Sequence, residues 1–405
     1  MELHYPVILD GATGTELQKR GFKGDMAAEQ WVLEHPDAMI GIQQAYVAAG
    51  SNIVYAPTFS ANRIKLEENG LGDRVEAMNV GLVSVSRSAV DGRAWVAGDL
   101  SPTGKFPVPV GDVTFEQLVE IYREQARALE QAGVDLYVVE TMMTVSDARA
   151  AVLAIREIST KPIFVTFTCD AVGRTIFGSD ITAVLQIMQG MEINAFGMNC
   201  SVGPEDMLKQ LKRLQKYAEL PLIAKPNAGL PETVDGKTVY NCPADEFASI
   251  IPDFAEAGVC IFGGCCGTDQ SHIAAIADAL RMVTVKAPRP AVTGLLAAPT
   301  EKELFMLPAN IRCDCVLACD AKLGEALEEL EGKGVSLIGI RLNNDTDIEN
   351  FTEAQYAISA PICFHCEDVE LLEKALRIYQ GRALYEGSIP EEKLQALHRR
   401  YGLNY

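Results

Sequence analysis

Gly258-Val259-Cys260-Ile261-Phe262-Gly263-Gly264-Cys265-Cys266-Gly267-Thr268 joins a short apolar run to a glycine-rich turn carrying two adjacent cysteines. A run this short, bounded by glycine, suits a buried strand better than a helix, which needs ten or more residues. The same unit recurs upstream. Strands are predicted at residues 6–10, 52–56, 94–99, 136–140, 162–167, 195–199, 221–225 and 258–262. Amphipathic stretches of helical period separate them, and that alternation predicts βα units and a parallel sheet. The clearest helix spans 115–132, with Leu118, Ile121, Tyr122, Ala126 and Leu129 on one face and Gly133 as its stop. Residues 207–218 and 245–257 read likewise.

Eight such units match the size of a (β/α)8 barrel. A doubly wound open sheet needs the same local elements, so periodicity alone does not separate the two. The placement of polar residues favours the barrel. Asp10, Thr58, Asp99, Glu140, Thr168, Cys200, Asn227 and Cys265 each fall at or just beyond the C-terminal end of a predicted strand. A barrel gathers those ends into one ring, whereas an open sheet spreads them along a line.

The expected fold class is therefore α/β, a (β/α)8 TIM barrel over residues 1–285, followed by a linker at 286–308 and a small α/β domain at 309–405. The linker is rich in Pro and Ala without a strong period. Beyond it come a strand at 315–319, a helix at 322–333, a strand at 335–342, a helix near 348–358, a strand at 361–365 and a helix at 369–379. That unit is too short for a second barrel.

The chain has 405 residues, 48% of them apolar, enough for one large and one small domain. Its net charge of −20 opposes nucleic acid and anionic membrane surfaces as partners. Residues 1–10 read as a strand and not as a signal peptide, and no apolar run spans a bilayer, so a cytoplasmic location is expected. There the 11 cysteines should be reduced, which turns attention from disulfides to metal binding or reactivity.

Two adjacent cysteines cannot easily bridge each other, but a sharp turn allowed by the flanking glycines lets both face one ion. Cys200, ending the sixth strand in Met198-Asn199-Cys200-Ser201, would face the same barrel mouth. Three thiolates make a soft, electron-rich site suited to zinc, with a fourth position open for substrate. The competing reading is three buried core cysteines, the reading given to Cys169, Cys242 and Cys260. In Asp10-Gly11-Ala12-Thr13-Gly14-Thr15-Glu16, Thr13 and Glu16 have the spacing of a capping box, and the free backbone N–H groups of the turn suit a carboxylate. An ordinary strand-to-helix turn accounts for the pattern equally well. Glu140 follows an apolar strand, where a carboxylate needs a partner: an incoming ammonium, or a structural Lys or Arg.

Six segments occur in order: Asp10-Gly11-Ala12-Thr13-Gly14-Thr15, Gly98-Asp99-Leu100-Ser101-Pro102-Thr103-Gly104, Glu140-Thr141, Asn199-Cys200, Pro226-Asn227-Ala228-Gly229 and Gly263-Gly264-Cys265-Cys266-Gly267-Thr268. With them the chain resembles the homocysteine S-methyltransferase family over about residues 1–282. Within it, the segments at 199–204 and 226–231 look most like the homocysteine-binding domain of cobalamin-dependent methionine synthase. The resemblance implies a Zn2+ barrel with Cys200, Cys265 and Cys266 as ligands, and Asp10 and Glu140 as holders of homocysteine. Gly11, Ala12 and Thr13 are expected to orient the amino acid through their amides, and Asn227 to fill the fourth zinc position when substrate is absent.

The implied reaction methylates the homocysteine thiol to give methionine. The donor remains open among S-methylmethionine, betaine, methyltetrahydrofolate and methylcobalamin on a separate protein. No Asp-x-His-x-x-Gly motif, the usual cobalamin-ligating signature, is present. Two alternatives stand: a metal-carrying docking component of a two-component corrinoid-dependent methyltransferase, and a methyltransferase for another thiol or selenol. Cys313, Cys315, Cys319, Cys363 and Cys366 raise the question of a second metal site, for which Cys363-Phe364-His365-Cys366 lacks a matching partner pair.

Overall fold

The computed structural model describes residues 3–234, 237–289 and 294–405. Parts of the expected segments, residues 1–2, 235–236 and 290–293, lie outside the described residues. Strands β1 (Val7–Ile8), β2 (Ile53–Tyr55), β3 (Trp95–Leu100), β4 (Leu136–Met142), β5 (Ile163–Phe167), β6 (Ala195–Asn199) and β7 (Leu222–Lys225) follow in turn. A hairpin of β8 (Pro231–Val234) and β9 (Lys237–Tyr240) then precedes β10 (Val259–Phe262).

The main sheet runs β1-β10-β7-β6-β5-β4-β3-β2, and all its pairings are parallel. Its order follows the chain without the reversal of a doubly wound sheet, and its two edge strands meet. Asn52 joins them: its backbone N–H donates to the Ile8 carbonyl at 2.7 Å, and its Oδ1 accepts from the Ile8 N–H at 2.8 Å. Ser51 Oγ adds a bond to the Leu9 carbonyl at 2.9 Å. The result is a (β/α)8 barrel whose seam is closed largely by side chains.

Strand side chains alternate between two faces. In β4, Tyr137 and Val139 pack against the surrounding helices, while Leu136 and Val138 fill the barrel interior with Val7, Ile53, Ala97, Phe164, Ala195, Ile223 and Ile261. Continuing the inward series by two residues reaches Asp99 after Ala97, Glu140 after Val138 and Lys225 after Ile223. Period-two geometry thus places a layer of polar side chains on the apolar plug, at the carboxyl ends of the strands.

The helix Phe115–Ala132 ends at Gly133, whose φ of 77° is the left-handed stop the sequence suggests. The helix expected at 245–257 is instead two, Ala244–Ser249 and Ile251–Glu256. Pro252 is tolerated in the first turn of a helix but not in the interior of a continuous one.

Segment 286–308 carries an antiparallel hairpin of β11 (Leu295–Ala297) and β12 (Met306–Pro308). A second parallel sheet follows, in the order β13 (Cys315–Ala318), β14 (Ile338–Arg341), β15 (Ile362–His365), β16 (Leu384–Glu386). Helices Leu323–Leu330, Asp345–Ala354, Val369–Ile378 and Glu391–Tyr401 accompany it. Arg149 of the barrel is fully buried and donates to the Leu376 carbonyl at 2.8 Å, and Arg377 pairs with Glu157 at 2.8 Å, which seats this sheet's helices on the barrel. No helix among the described residues is long and apolar enough to cross a membrane.

Candidate active site

Cys200 leaves β6 and Cys265-Cys266 leave β10, and the barrel brings the two turns together. The Cys200 N–H donates to the Lys225 carbonyl at 3.1 Å, and the Cys265 N–H to the Pro226 carbonyl at 2.8 Å, so both turns lean on the end of β7. All three sulfurs lie within 4.8 Å of one another, and Cys200 and Cys266 are 4.0 Å apart. Two thiolates on one tetrahedral zinc are about 3.8 Å apart, given Zn–S bonds near ~2.3 Å. The donor set and its spacing therefore fit a metal ion.

Holding the sulfurs there requires unusual backbone. Cys200 and Ser201 adopt φ of 60° and 58°, and Thr141 a φ of 59°. For a β-branched residue that conformation is a genuine outlier, and such strain clusters at functional sites. Asn199 secures it. Its Oδ1 accepts from the Thr141 N–H at 3.0 Å, and its Nδ2 donates to Thr141 Oγ1 at 2.7 Å. The glycines of the Cys265-Cys266 turn serve two different needs. Gly267 has a φ of 82°, whereas a Cβ on Gly264 would fall 2.3 Å from Thr268 Oγ1.

Crowding splits the acidity of the thiols. Hydrogen bonds from Cys200 and Cys265 pull Cys266 well below an ordinary thiol, while hydrogen bonding to Cys200 and Cys266, with burial, pushes Cys265 up.

Beside the sulfurs lies a buried charge cluster. Lys225 Nζ is 3.3 Å from Asp10 Oδ1, 3.7 Å from Glu140 Oε2 and 3.6 Å from the centre of the Tyr55 ring. Burial works against this ammonium, but Tyr55, Glu140 and Asp10 around it hold its pKa well above the usual lysine value. Burial raises the pKa of Asp10 despite Lys225 and the Tyr55 N–H, which donates to Asp10 Oδ2 at 2.7 Å. Burial and the adjacent Glu140 push the Asp99 carboxyl well above the usual carboxylate range. Asp10 and Glu140 thus share a single buried ammonium, that of Lys225.

A cavity of about 320 Å3 joins the two clusters. Its lining includes Asp10, Gly11, Ala12, Thr13, Glu140, Cys200, Cys265 and Cys266. Asn227 is not in that lining; it is buried just beyond β7, and its Oδ1 has no hydrogen-bond partner among the described residues. The capping box expected at Thr13 and Glu16 does not form. Thr13 sits in helical rather than extended backbone and its side chain caps nothing, while Glu16 turns to Lys19 and Arg20, each at 2.7 Å. The Ala12 N–H is also engaged, donating to Thr268 Oγ1 at 3.1 Å.

Sequence reasoning missed Lys225, Tyr55, Glu29 and Tyr240 as site residues. The signal for Lys225 was a lysine closing an otherwise apolar strand, Leu222-Ile223-Ala224-Lys225. Glu29 also lines the cavity and accepts from the Ser60 N–H at 2.8 Å. Tyr240, from the β8–β9 hairpin, lies over Gly267, where a Cβ would come within 2.4 Å of it, and its phenol is raised by burial and by Cys266.

Comparison with known proteins agrees with this fold. The homocysteine S-methyltransferase family model matches residues 7–280. The chain is 31% identical over 292 residues to methionine synthase of Mycobacterium leprae, and 30% identical to that of Mycobacterium tuberculosis, spanning 68% of this chain and 24% of each relative. It thus covers about a quarter of their length. Among solved structures, the homocysteine methyltransferase MmuM from Escherichia coli superposes with a TM-score of 0.57 at 24% identity in its oxidized form, covering 67% of this chain and 95% of that one. Its metallated form gives 0.57 over 68% and 96%. By its barrel, its three-cysteine mouth and its match over more than half its length, the chain belongs to the homocysteine S-methyltransferase family.

Proposed function

We propose that the chain is a zinc-dependent homocysteine S-methyltransferase, which moves a methyl group onto the thiol of homocysteine to give methionine. The observation that carries this reading is the meeting of three sulfurs and a carboxylate-rich charge cluster in one cavity. Cys200, Cys265 and Cys266 would hold Zn2+, whose chemistry there is to favour the thiolate form of a bound thiol at neutral pH.

The chain's own groups do the rest. Asp10 and Glu140, two carboxyls sharing one lysine, take the substrate ammonium. The backbone amides of Gly11 and Thr13 face the carboxylate, since that of Ala12 is already occupied. Lys225 and Tyr55 hold the two carboxylates in place. Together these contacts fix both ends of the amino acid and leave its sulfur directed at the cysteines. Orientation of this kind converts a bimolecular step into an effectively unimolecular one. No general base is required of the protein, and the thiol proton is released to solvent.

The test is a donor panel with homocysteine: S-methylmethionine, betaine, methyltetrahydrofolate, and methylcobalamin both free and on a corrinoid protein. Methionine formation with at least one donor is expected. Turnover only with the corrinoid protein would make the chain one part of a two-component enzyme. Transfer to a different thiol or selenol, with none to homocysteine, would replace the substrate.

Asn227 is proposed as the fourth donor in the absence of substrate, which gives its orphaned Oδ1 a partner. Zinc-edge absorption spectra of the substrate-free protein should then show three sulfurs and one light donor. Asn227→Ala should change that light-donor shell, and an unchanged shell would exclude the assignment.

A further inference from the structure

The C-terminal sheet carries a second convergence of ligand atoms, far in sequence from the barrel cysteines. Strand side chains two residues apart share a face. Cys363 and His365 of β15 therefore project together. Glu386 of β16 is in register with His365, and so joins them. Cys313 arrives from the segment that leads into β13. One ligand atom from each of the four lies within 4.8 Å of every other, and Cys313 Sγ is 3.5 Å from His365 Nε2. A thiolate and an imidazole on one tetrahedral zinc are separated by about 3.6 Å, given bonds near ~2.3 and ~2.05 Å.

Two features set this cluster apart from cysteines packed as small apolar groups. Gly339 of β14 is in register with Cys363, and a Cβ there would lie 2.8 Å from His365 Nε2. The glycine clears a path by which the imidazole crosses β14 to reach Cys313. Alongside, a cavity of about 470 Å3 lined by His365, Glu386 and Arg341 gives an ion access from solvent. The other cysteines of this region are otherwise engaged. Cys319 Sγ donates to the Asp347 carbonyl at 3.0 Å, Cys366 Sγ to the Asp368 carbonyl at 3.1 Å, and Cys315 belongs to the opposite face of the sheet.

We propose that Cys313, Cys363, His365 and Glu386 form a second metal site, structural in role and suited to zinc, which pins the segment entering the C-terminal sheet onto β15 and β16. Two thiolates, an imidazole and a carboxylate are a borderline donor set of the kind zinc takes in four-coordinate sites. Under the ion lie Leu307, Leu337 and Leu384, an apolar floor that limits water access to the bound thiolates.

Elemental analysis of the full chain, purified under reducing conditions with zinc supplied, tests this. Two zinc ions per chain are expected in the unaltered protein. Cys313→Ser and Cys363→Ser should each retain one, as should Cys265→Ser, and Cys265→Ser combined with Cys363→Ser should retain none. Cys313 lies outside any strand, so its substitution tests the site even if Cys363→Ser fails to fold. In cobalt(II)-loaded Cys265→Ser protein, thiolate charge-transfer absorption should persist and should vanish when Cys313→Ser is added. One zinc per chain in the unaltered protein, with Cys313 and Cys363 free or joined in a disulfide by mass spectrometry, would overturn the proposal. So would a second zinc indifferent to both serine variants.

Discussion

Cys265→Ser is expected to lower kcat/KM for homocysteine methylation by about a thousandfold or more, and to remove one metal ion per chain while the fold survives. The magnitude has two sources. A free thiol with a pKa near ~8.5 is only about 3% thiolate at neutral pH, which alone accounts for roughly thirtyfold. Loss of a fixed sulfur position contributes at least a further factor of about thirty, a small part of what orientation can supply. Serine nearly matches cysteine in size, and the Thr268 and Pro226 contacts of this turn run through the backbone, so the Gly264–Thr268 geometry should persist. Methyl-transfer kinetics, metal content and a circular dichroism melt check the three parts separately. A variant that keeps both its metal and most of its activity would remove Cys265 from the chemistry.

Lys225→Met should cost roughly 3–5 kcal/mol of stability near neutral pH, because it leaves Asp10 and Glu140 buried without their cation. The loss should depend on pH in a defined direction. Folding already raises the pKa of both carboxyls, chiefly by burial. A carboxyl raised on folding contributes stability that is fully present below its ordinary pKa, near ~4, and is lost as pH rises through its folded value. Removing Lys225 raises both groups further, so the penalty should be smallest near pH ~4 and grow toward pH ~8. Urea unfolding of variant and parent at the two ends of that range measures it. An equal penalty at both ends would mean that lost packing against Tyr55, and not uncompensated charge, sets the cost. Homocysteine affinity should fall as well, since carboxyls that retain protons bind an ammonium weakly.

Much of the barrel was legible because its signals are local. Short apolar strand runs, a Gly133 stop and polar residues at strand ends all follow from neighbours along the chain. The Gly-Gly-Cys-Cys-Gly turn was legible for the same reason, as was its need for a third cysteine at another strand end. Where local patterns misled, a local alternative won. The Thr13–Glu16 spacing suits a capping box, but helical backbone at Thr13 and two nearby cations claimed both side chains. Pro252 divided a periodic stretch into two helices.

By itself the sequence determined the strand and helix alternation, and the polar residues and three cysteines at the strand ends. Only the tertiary structure decided which charges meet. Lys225 and Asp10 are 215 residues apart in the chain, and β10, paired with both β1 and β7, sets their strands two apart in the sheet. The C-terminal ligand cluster is of the same kind: strand register sets Glu386 beside His365, and a missing side chain at Gly339 lets the imidazole reach Cys313. Sequence periodicity specifies the face a residue occupies. Register and ring closure, which depend on contacts between distant segments, specify its partner.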